Sequence, residues 1–225
     1  RRTLAELNVA HDEPTLMRGT ATVKLALLGL RDGRRASTEI ADLGDESLRR
    51  AVAELYDAAR SAPQDAANAV SADQRAVIDK GPVDPDRDAI ADTMAELLAW
   101  RAANTPTVTI EEALVSHQRL ESRLLTSAGS ALSCRLGWYE VAAMATAREG
   151  ERSSSFNFAG GQCDSLAGEP APQRLGVRRM FADLARQVHT RKLAQGFVGD
   201  VVLAPHALDS LLGWLRSQLS DLQLI

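Results

Sequence analysis

The chain has four histidines and two cysteines, the residue types best suited to hold a metal or act as nucleophiles. A zinc hydrolase needs about three protein ligands from His, Asp, Glu or Cys and an open position for water. The HExxH arrangement supplies two of them because positions i and i+4 share one helix face. His11, His117, His189 and His206 do not fit that pattern: none shares a predicted helix face with a second His or a Glu. His189 meets Asp183 and Arg186 only at awkward spacings. His206 and Asp209 are three apart on a predicted helix, which reads as a solvated first-turn contact rather than a ligand pair. His117 lies in a polar strand and is expected to be exposed. Ser153, Ser154 and Ser155 have no His or acid that the spacing would position, so they read as the wet face of a strand. Cys134 shares an expected face with Leu132, Leu136 and Trp138 and reads as a core thiol. Cys163, in a loop after two glycines, is the more reactive candidate, although an ordinary thiol. Gly29, Gly33 and Gly44 form no dinucleotide fingerprint, and no phosphate-cradling GxxxxGK[ST] loop is present. These residues assign no catalytic group, no metal ligand and no cofactor.

Composition sets wider bounds. A chain of 225 residues with 45% hydrophobic and 25% charged residues can bury a substantial core. The net charge of −4 argues against a general binder of nucleic acid or anionic membranes. No apolar run approaches the ~20 residues of a spanning helix. Two cysteines make no disulfide framework, and reduced thiols in a cytoplasmic protein are the expectation.

Hydrophobic periodicity supplies the elements. Thr20–Leu30 alternates Val23, Leu25 and Leu27 and reads as a strand; Asp32-Gly33 turns it into a return strand over Arg35–Ile40. A helix is predicted from Asp45 to Ser61, with Leu48, Val52, Leu55, Tyr56 and Ala59 inward. Pro63–Gly81 reads as a surface excursion with one short strand at most. Asp84 and Pro85 then open a second helix, with Ile90, Met94, Leu97 and Leu98 inward, and Asn104-Thr105-Pro106 stops it. Strands follow over Thr107–Leu114 and Ser116–Leu125, with a turn at Thr126–Gly129. A further strand carries Leu132, Cys134, Leu136 and Trp138 on its core face, with a bulge near Tyr139–Val141 where the parity changes. Arg148–Glu151 turns the chain and Ser153–Phe158 returns it. A linker (Gly160–Pro172) leads to a long helix over Gln173–Ala194, with Val177, Phe181, Leu184 and Val188 inward. Val198, Val201, Val202 and Leu203 suggest a short buried strand, and Pro205 opens a helix with Leu208, Leu211, Leu212 and Leu215 on one face. Helices segregated from a curved antiparallel sheet predict an α+β fold.

Several pieces, taken in order, carry a resemblance. They are ASTEIADLGDESLRRAV (Ala36–Val52), the Ser127-Ala128-Gly129 turn with Thr126 where Asn is usual, SSSFNFAGG (Ser153–Gly161), the Arg191-Lys192 pair, and GFVGDVVLAPHALDSLLG (Gly196–Gly213). Together they resemble the TldD/PmbA family, the modulator of DNA gyrase proteins, over about Val23 to Ser220. In the TldD branch the last helix carries an HExxxH zinc motif. Here that place reads His206-Ala207-Leu208-Asp209-Ser210-Leu211, which is similar to the PmbA (TldE) branch.

The resemblance implies residues 1–195 as the family's N-terminal α+β domain and 196–225 as the start of its C-terminal domain. Family members are about twice this long, so either this is a natural short form or the second half is missing from the given chain. It implies a cytoplasmic metallopeptidase subunit without its own metal, pairing with a TldD-like zinc-bearing subunit or with itself and acting on unfolded or modified peptides. Family members bind extended peptide by strand addition, which places Ser153, Ser154, Ser155, Phe156, Asn157 and Phe158 as the expected peptide-binding strand. Trp214, the leucine stripe of the last helix, and Leu222, Leu224 and Ile225 are the expected assembly surface. Two alternatives stay open: a stand-alone binding or regulatory module, and an active metallopeptidase whose ligands lie beyond Ile225.

Overall fold

The structure is a computed structural model and describes residues 1–190, 194–196, 198–203 and 205–219, with the backbone alone for Pro205 and His206. The chain divides into two compact units, Arg1–Thr190 and Arg191–Ile225.

The first unit opens with a hairpin, β1 (Arg2–Ala10) and β2 (Glu13–Thr22). Its two-residue loop, His11-Asp12, has positive φ at both positions, the geometry that matches strand twist. A second hairpin follows, β3 (Leu25–Arg31) and β4 (Arg34–Ile40), turning at Asp32-Gly33 as expected. The single strand expected over Thr20–Leu30 is thus two: Thr20 to Thr22 close β2, and Val23 is exposed. Helix α1 (Asp45–Ser61) has the predicted bounds and packs on β3 and β4. Ala51, Leu55 and Ala59 are its buried residues, whereas Val52 and Tyr56 are exposed. The contact is one residue wide per turn because Gly29 brings β3 close: a Cβ there would sit 3.3 Å from the Leu55 side chain.

The main sheet is completed by β5 (Arg75–Lys80), β6 (Val108–Leu125), β7 (Ala131–Glu149), β8 (Arg152–Ser153) and β9 (Asn157–Cys163). Its order is β2-β1-β6-β7, and β5 and β9 share the far edge of β7. β5 pairs in parallel along Ala131–Leu136, and β9 antiparallel along Tyr139–Ala145. Apart from β5 the ladders are antiparallel, and the fold is α+β as expected.

Helices α2 (Arg87–Asn104), α3 (Ala171–Arg174) and α4 (Val177–Gln187) supply the other layer. Ile90, Met94 and Leu97 of α2 and Val177, Phe181 and Leu184 of α4 join Val9, Val108, Ile110, Val115, Val141 and Ala145 of the sheet in one core. Helix α2 begins two residues later than expected, because the Asp86 side chain, not Asp84, caps it by accepting from Ala89 N at 2.9 Å. The long helix expected over Gln173–Ala194 is broken at Gly176, which takes a left-handed φ of 77°.

Two expectations about strand faces are overturned. The helix-covered face of β7 carries Tyr139, Val141, Ala143, Ala145 and Ala147, while Leu136 and Trp138 alternate to the opposite face, where they are half-buried. No bulge occurs at Tyr139–Val141; the one irregularity of this pair lies in β6 at Glu111, between Ile110 and Glu112. The apolar parity of β7 changes because β7 is longer than the helix layer, not because its backbone kinks. The bulge shifts the core face of β6 from Val108 and Ile110 to Ala113, Val115 and His117.

In the second unit Val198, Val201, Val202 and Leu203 form no strand and are exposed. A strand forms by pairing, and no strand lies beside them among the described residues. Helix α5 (Pro205–Gln218) forms as expected, with Leu208, Leu211, Leu212, Trp214 and Leu215 exposed. Arg191, Lys192, Leu222, Leu224 and Ile225 lie outside the described residues. No helix among the described residues is long and apolar enough to cross a membrane.

Candidate functional site

The expected peptide strand Ser153–Phe158 is two strand ends and a gap. Gly150, with a φ of 60°, turns the chain, and Ser153 pairs with Arg148 in β8. Ser154 N–H then donates to Ala147 O, and Ser154 Oγ accepts from Ala147 N, both at 2.9 Å. The same hydroxyl donates to Ser155 O at 2.7 Å. Ser154 is therefore used by the turn and is not a free nucleophile. The returning chain takes four steps, Ser153 to Asn157, where β7 takes three, Arg148 to Ala145. The extra residue lifts Ser155 and Phe156 out of the ladder.

From Asn157 the chain rejoins the sheet as β9. Gly160 is required there: a Cβ would collide with Val141 O and the Ala142 backbone. Gly161 leaves room for Leu175. Asn157 Nδ2 donates to Gln187 Oε1 at 3.3 Å, tying the strand to the end of α4. One edge of β9 pairs with β7; the other has no strand partner among the described residues. Phe156 and Phe158 are each 68% exposed beside that edge. The arrangement offers a row of unpaired backbone groups flanked by two exposed aromatic rings, which suits an extended peptide. Cys163 is the last residue of β9, packed against the core, rather than a loop thiol.

The sheet face opposite the helices holds a polar row that sequence reasoning missed. Glu6, Ser116, Glu140 and Gln162 are in register on four neighbouring strands. Gln118 Nε2 donates to Glu140 Oε2 at 2.7 Å, Arg2 donates to Gln118, and Arg18 pairs with Glu6. Ser116 Oγ and Trp138 Nε1 are buried without a partner. Only the strand order brings these residues together, and no local pattern announces that order.

His11, His117 and His189 are each otherwise engaged, and the expected His206–Asp209 contact lies outside the described side chains. His11 Nδ1 lies 3.2 Å from Glu111, and His189 Nε2 lies 2.8 Å from Glu149 while its Nδ1 meets Arg152. His117 is buried, not exposed as expected, with Nε2 2.9 Å from Pro82 O. No three His, Cys, Asp or Glu side chains converge among the described residues, so these residues do not fit a metal site. On the surface, Arg135 beside Asp79 and Arg119 beside Glu121 hold both carboxyls below the usual range through hydrogen bonds.

An α+β layer of this topology, with an open edge on a long curling hairpin, is the fold of a known class of proteins. The structure matches TldE from Thermococcus kodakarensis with a TM-score of 0.61 and 15% identity, over 84% of this chain and 42% of that one. It also matches proteins described as modulators of DNA gyrase from Thermotoga maritima (TM-score 0.54, 13% identity, 83% and 42% covered) and Bacteroides thetaiotaomicron (TM-score 0.56, 17% identity, 77% and 43% covered). No family model and no curated sequence matches the chain. The fold is that of the TldD/PmbA proteins, as the sequence resemblance implies, and the chain spans less than half the length of the solved structures it matches.

Proposed function

We propose that this chain is a TldE/PmbA-type subunit that presents β9 to extended peptide and carries no catalytic metal of its own. A TldD-like subunit supplies the zinc, and the complex acts in the cytoplasm on unfolded or modified peptides. The observation that carries the reading is the open edge of β9 with exposed Phe156 and Phe158, on a fold shared with TldE. Main-chain hydrogen bonding along such an edge tolerates many sequences, which suits an unfolded substrate. Ser153, Ser154, Ser155 and Asn157 shape the strand and its turn; the two phenylalanines are the side chains available to touch a peptide.

The test mixes the full-length protein with a TldD-type partner and an unfolded peptide. The complex should contain metal and degrade the peptide, and the protein alone should not. Phe156→Ser with Phe158→Ser should weaken peptide capture without lowering the melting temperature. About one tightly bound zinc per chain in the isolated protein, or no association with the partner by light scattering, would sink the reading.

A further inference from the structure

At the far end of the main sheet, β5, β7 and β6 form a groove of about 570 Å³, lined by Arg75, Val77, Arg123, Leu125, Ala131 and Ser133 among others. Its shape follows from the register. Arg75, Ala131 and Leu125 form one row across the three strands, and Val77, Ser133 and Arg123 form the next. The short side chains of Ala131 and Ser133 make a floor, and the larger ones rise on both sides. The two arginines therefore stand at diagonal corners, with Leu125 and Val77 at the other two. Val77 is 83% exposed and Leu125 77%, unusually open for apolar side chains.

The charges on this face are not treated alike. One row further on, Arg135 is paired with Asp79, and beside it Arg119 is paired with Glu121 and Asp84. Arg75 and Arg123 make no ion pair or side-chain hydrogen bond among the described residues. The outer edge of β5 also has no strand partner among them. A protein of net charge −4 thus holds two free guanidiniums around an apolar groove beside an open strand edge.

We propose that this groove is a docking surface for an extended acidic segment of a partner protein, whose carboxylates meet Arg75 and Arg123 and whose apolar side chain lies between Val77 and Leu125. The volume falls within the ~300–1,000 Å³ of ligand pockets. Exposed ion pairs contribute little alone, so affinity comes from the apolar contact and from strand addition to β5, while the arginines select for acidic sequence. The surface is separate from β9 and does not depend on the reading given to that edge.

The test uses the full chain and a fluorescein-labelled ten-residue peptide alternating Glu and Val, followed by fluorescence anisotropy. Binding should weaken with added salt. It should weaken by about tenfold or more in Arg75→Gln/Arg123→Gln, with little change in Arg49→Gln/Arg148→Gln. Amides of β5 should gain exchange protection when the peptide is bound. The exposed positions of both pairs leave folding intact, which a shared melting temperature checks. Equal binding of Gln/Val and Lys/Val peptides, or unchanged affinity in Arg75→Gln/Arg123→Gln, would overturn the proposal. So would arginine-dependent binding of a single-stranded oligonucleotide with none of the acidic peptide.

Discussion

His117 Nε2 lies 2.9 Å from the carbonyl oxygen of Pro82, and because a carbonyl can only accept, the ring must donate from that nitrogen. The same imidazole meets the Tyr139 ring edge to face, with centroids 5.0 Å apart. Tyr139 in turn accepts on its hydroxyl from Asp86 N at 3.0 Å. Two side chains of the sheet thus hold both ends of the segment that leads into α2. His117 is a buried structural donor, and losing it leaves the Pro82 carbonyl unpaired. His117→Ala should destabilise the protein by about 1–3 kcal/mol, read as a lower urea midpoint at unchanged slope. An unchanged midpoint would show that the contact contributes nothing.

The same segment crosses β7 where neither chain has a side chain. A Cβ on Gly137 would overlap Pro82 O, and one on Gly81 would overlap Gly137 O. Gly81 also has a φ of 80°, a region that favours glycine. Gly137→Ala should cost about 1–3 kcal/mol or more by forcing the backbones apart. Gly150→Ala, with a positive φ but open space around it, should cost less. Thermal melts of the two variants check the order.

The face assignment of β7 has its own test. Val141 is fully buried under the helices, whereas Leu136 is half-buried on the opposite face of the strand. Leu97, fully buried on α2, should lose about 2–5 kcal/mol on truncation to Ala. Val141→Ala should follow it, and Leu136→Ala should cost the least of the three. A larger loss at Leu136 than at Leu97 would mean the helices cover the opposite face.

Acid should loosen the β5 edge. The Asp79 carboxyl is lowered from its ordinary value of 3.8 chiefly by the hydrogen bond from Arg135. A carboxyl whose folded value is depressed contributes stability that is complete above its unfolded value and lost as pH falls through the folded one. Protection factors of the β5 amides, taken against their intrinsic rates at each pH, should therefore fall as pH drops below about 4. Asp79→Asn should abolish that dependence. A titration of the Asp79 carboxyl by NMR that matches a free aspartate would contradict the pairing.

The sequence is most legible where one element sets its own limits. Asp45 and Glu46 at the start of α1 and the Asp32-Gly33 turn are local signals, and both elements lie where they were expected. The sequence does not announce hairpin β1–β2, because His11-Asp12 is not a typical turn pair, although Ala5, Leu7 and Val9 alternate before it. Errors elsewhere come from layers rather than from propensity. Which face of β7 is covered depends on how far α2 and α4 reach, and whether Val201 to Leu203 pair depends on neighbours. For the peptide edge, the serine run locates the returning chain. The extra residue that frees Phe156, and the lack of a strand neighbour for β9 among the described residues, follow only from register.

The His11-Asp12 turn does not end at its own hairpin. Asp12 Oδ1 accepts from Ile110 N at 2.9 Å, at the bulge of β6, and lies 2.8 Å from Arg101 at the end of α2. Asp12 and Ile110 are 98 positions apart along the chain. During synthesis, β1 and β2 therefore leave the ribosome long before the strand and the helix that hold them exist. Long-range pairing of this kind is slow, and a waiting strand edge is open to wrong partners. The order of translation thus leaves the β1 edge without its neighbour until β6 is made.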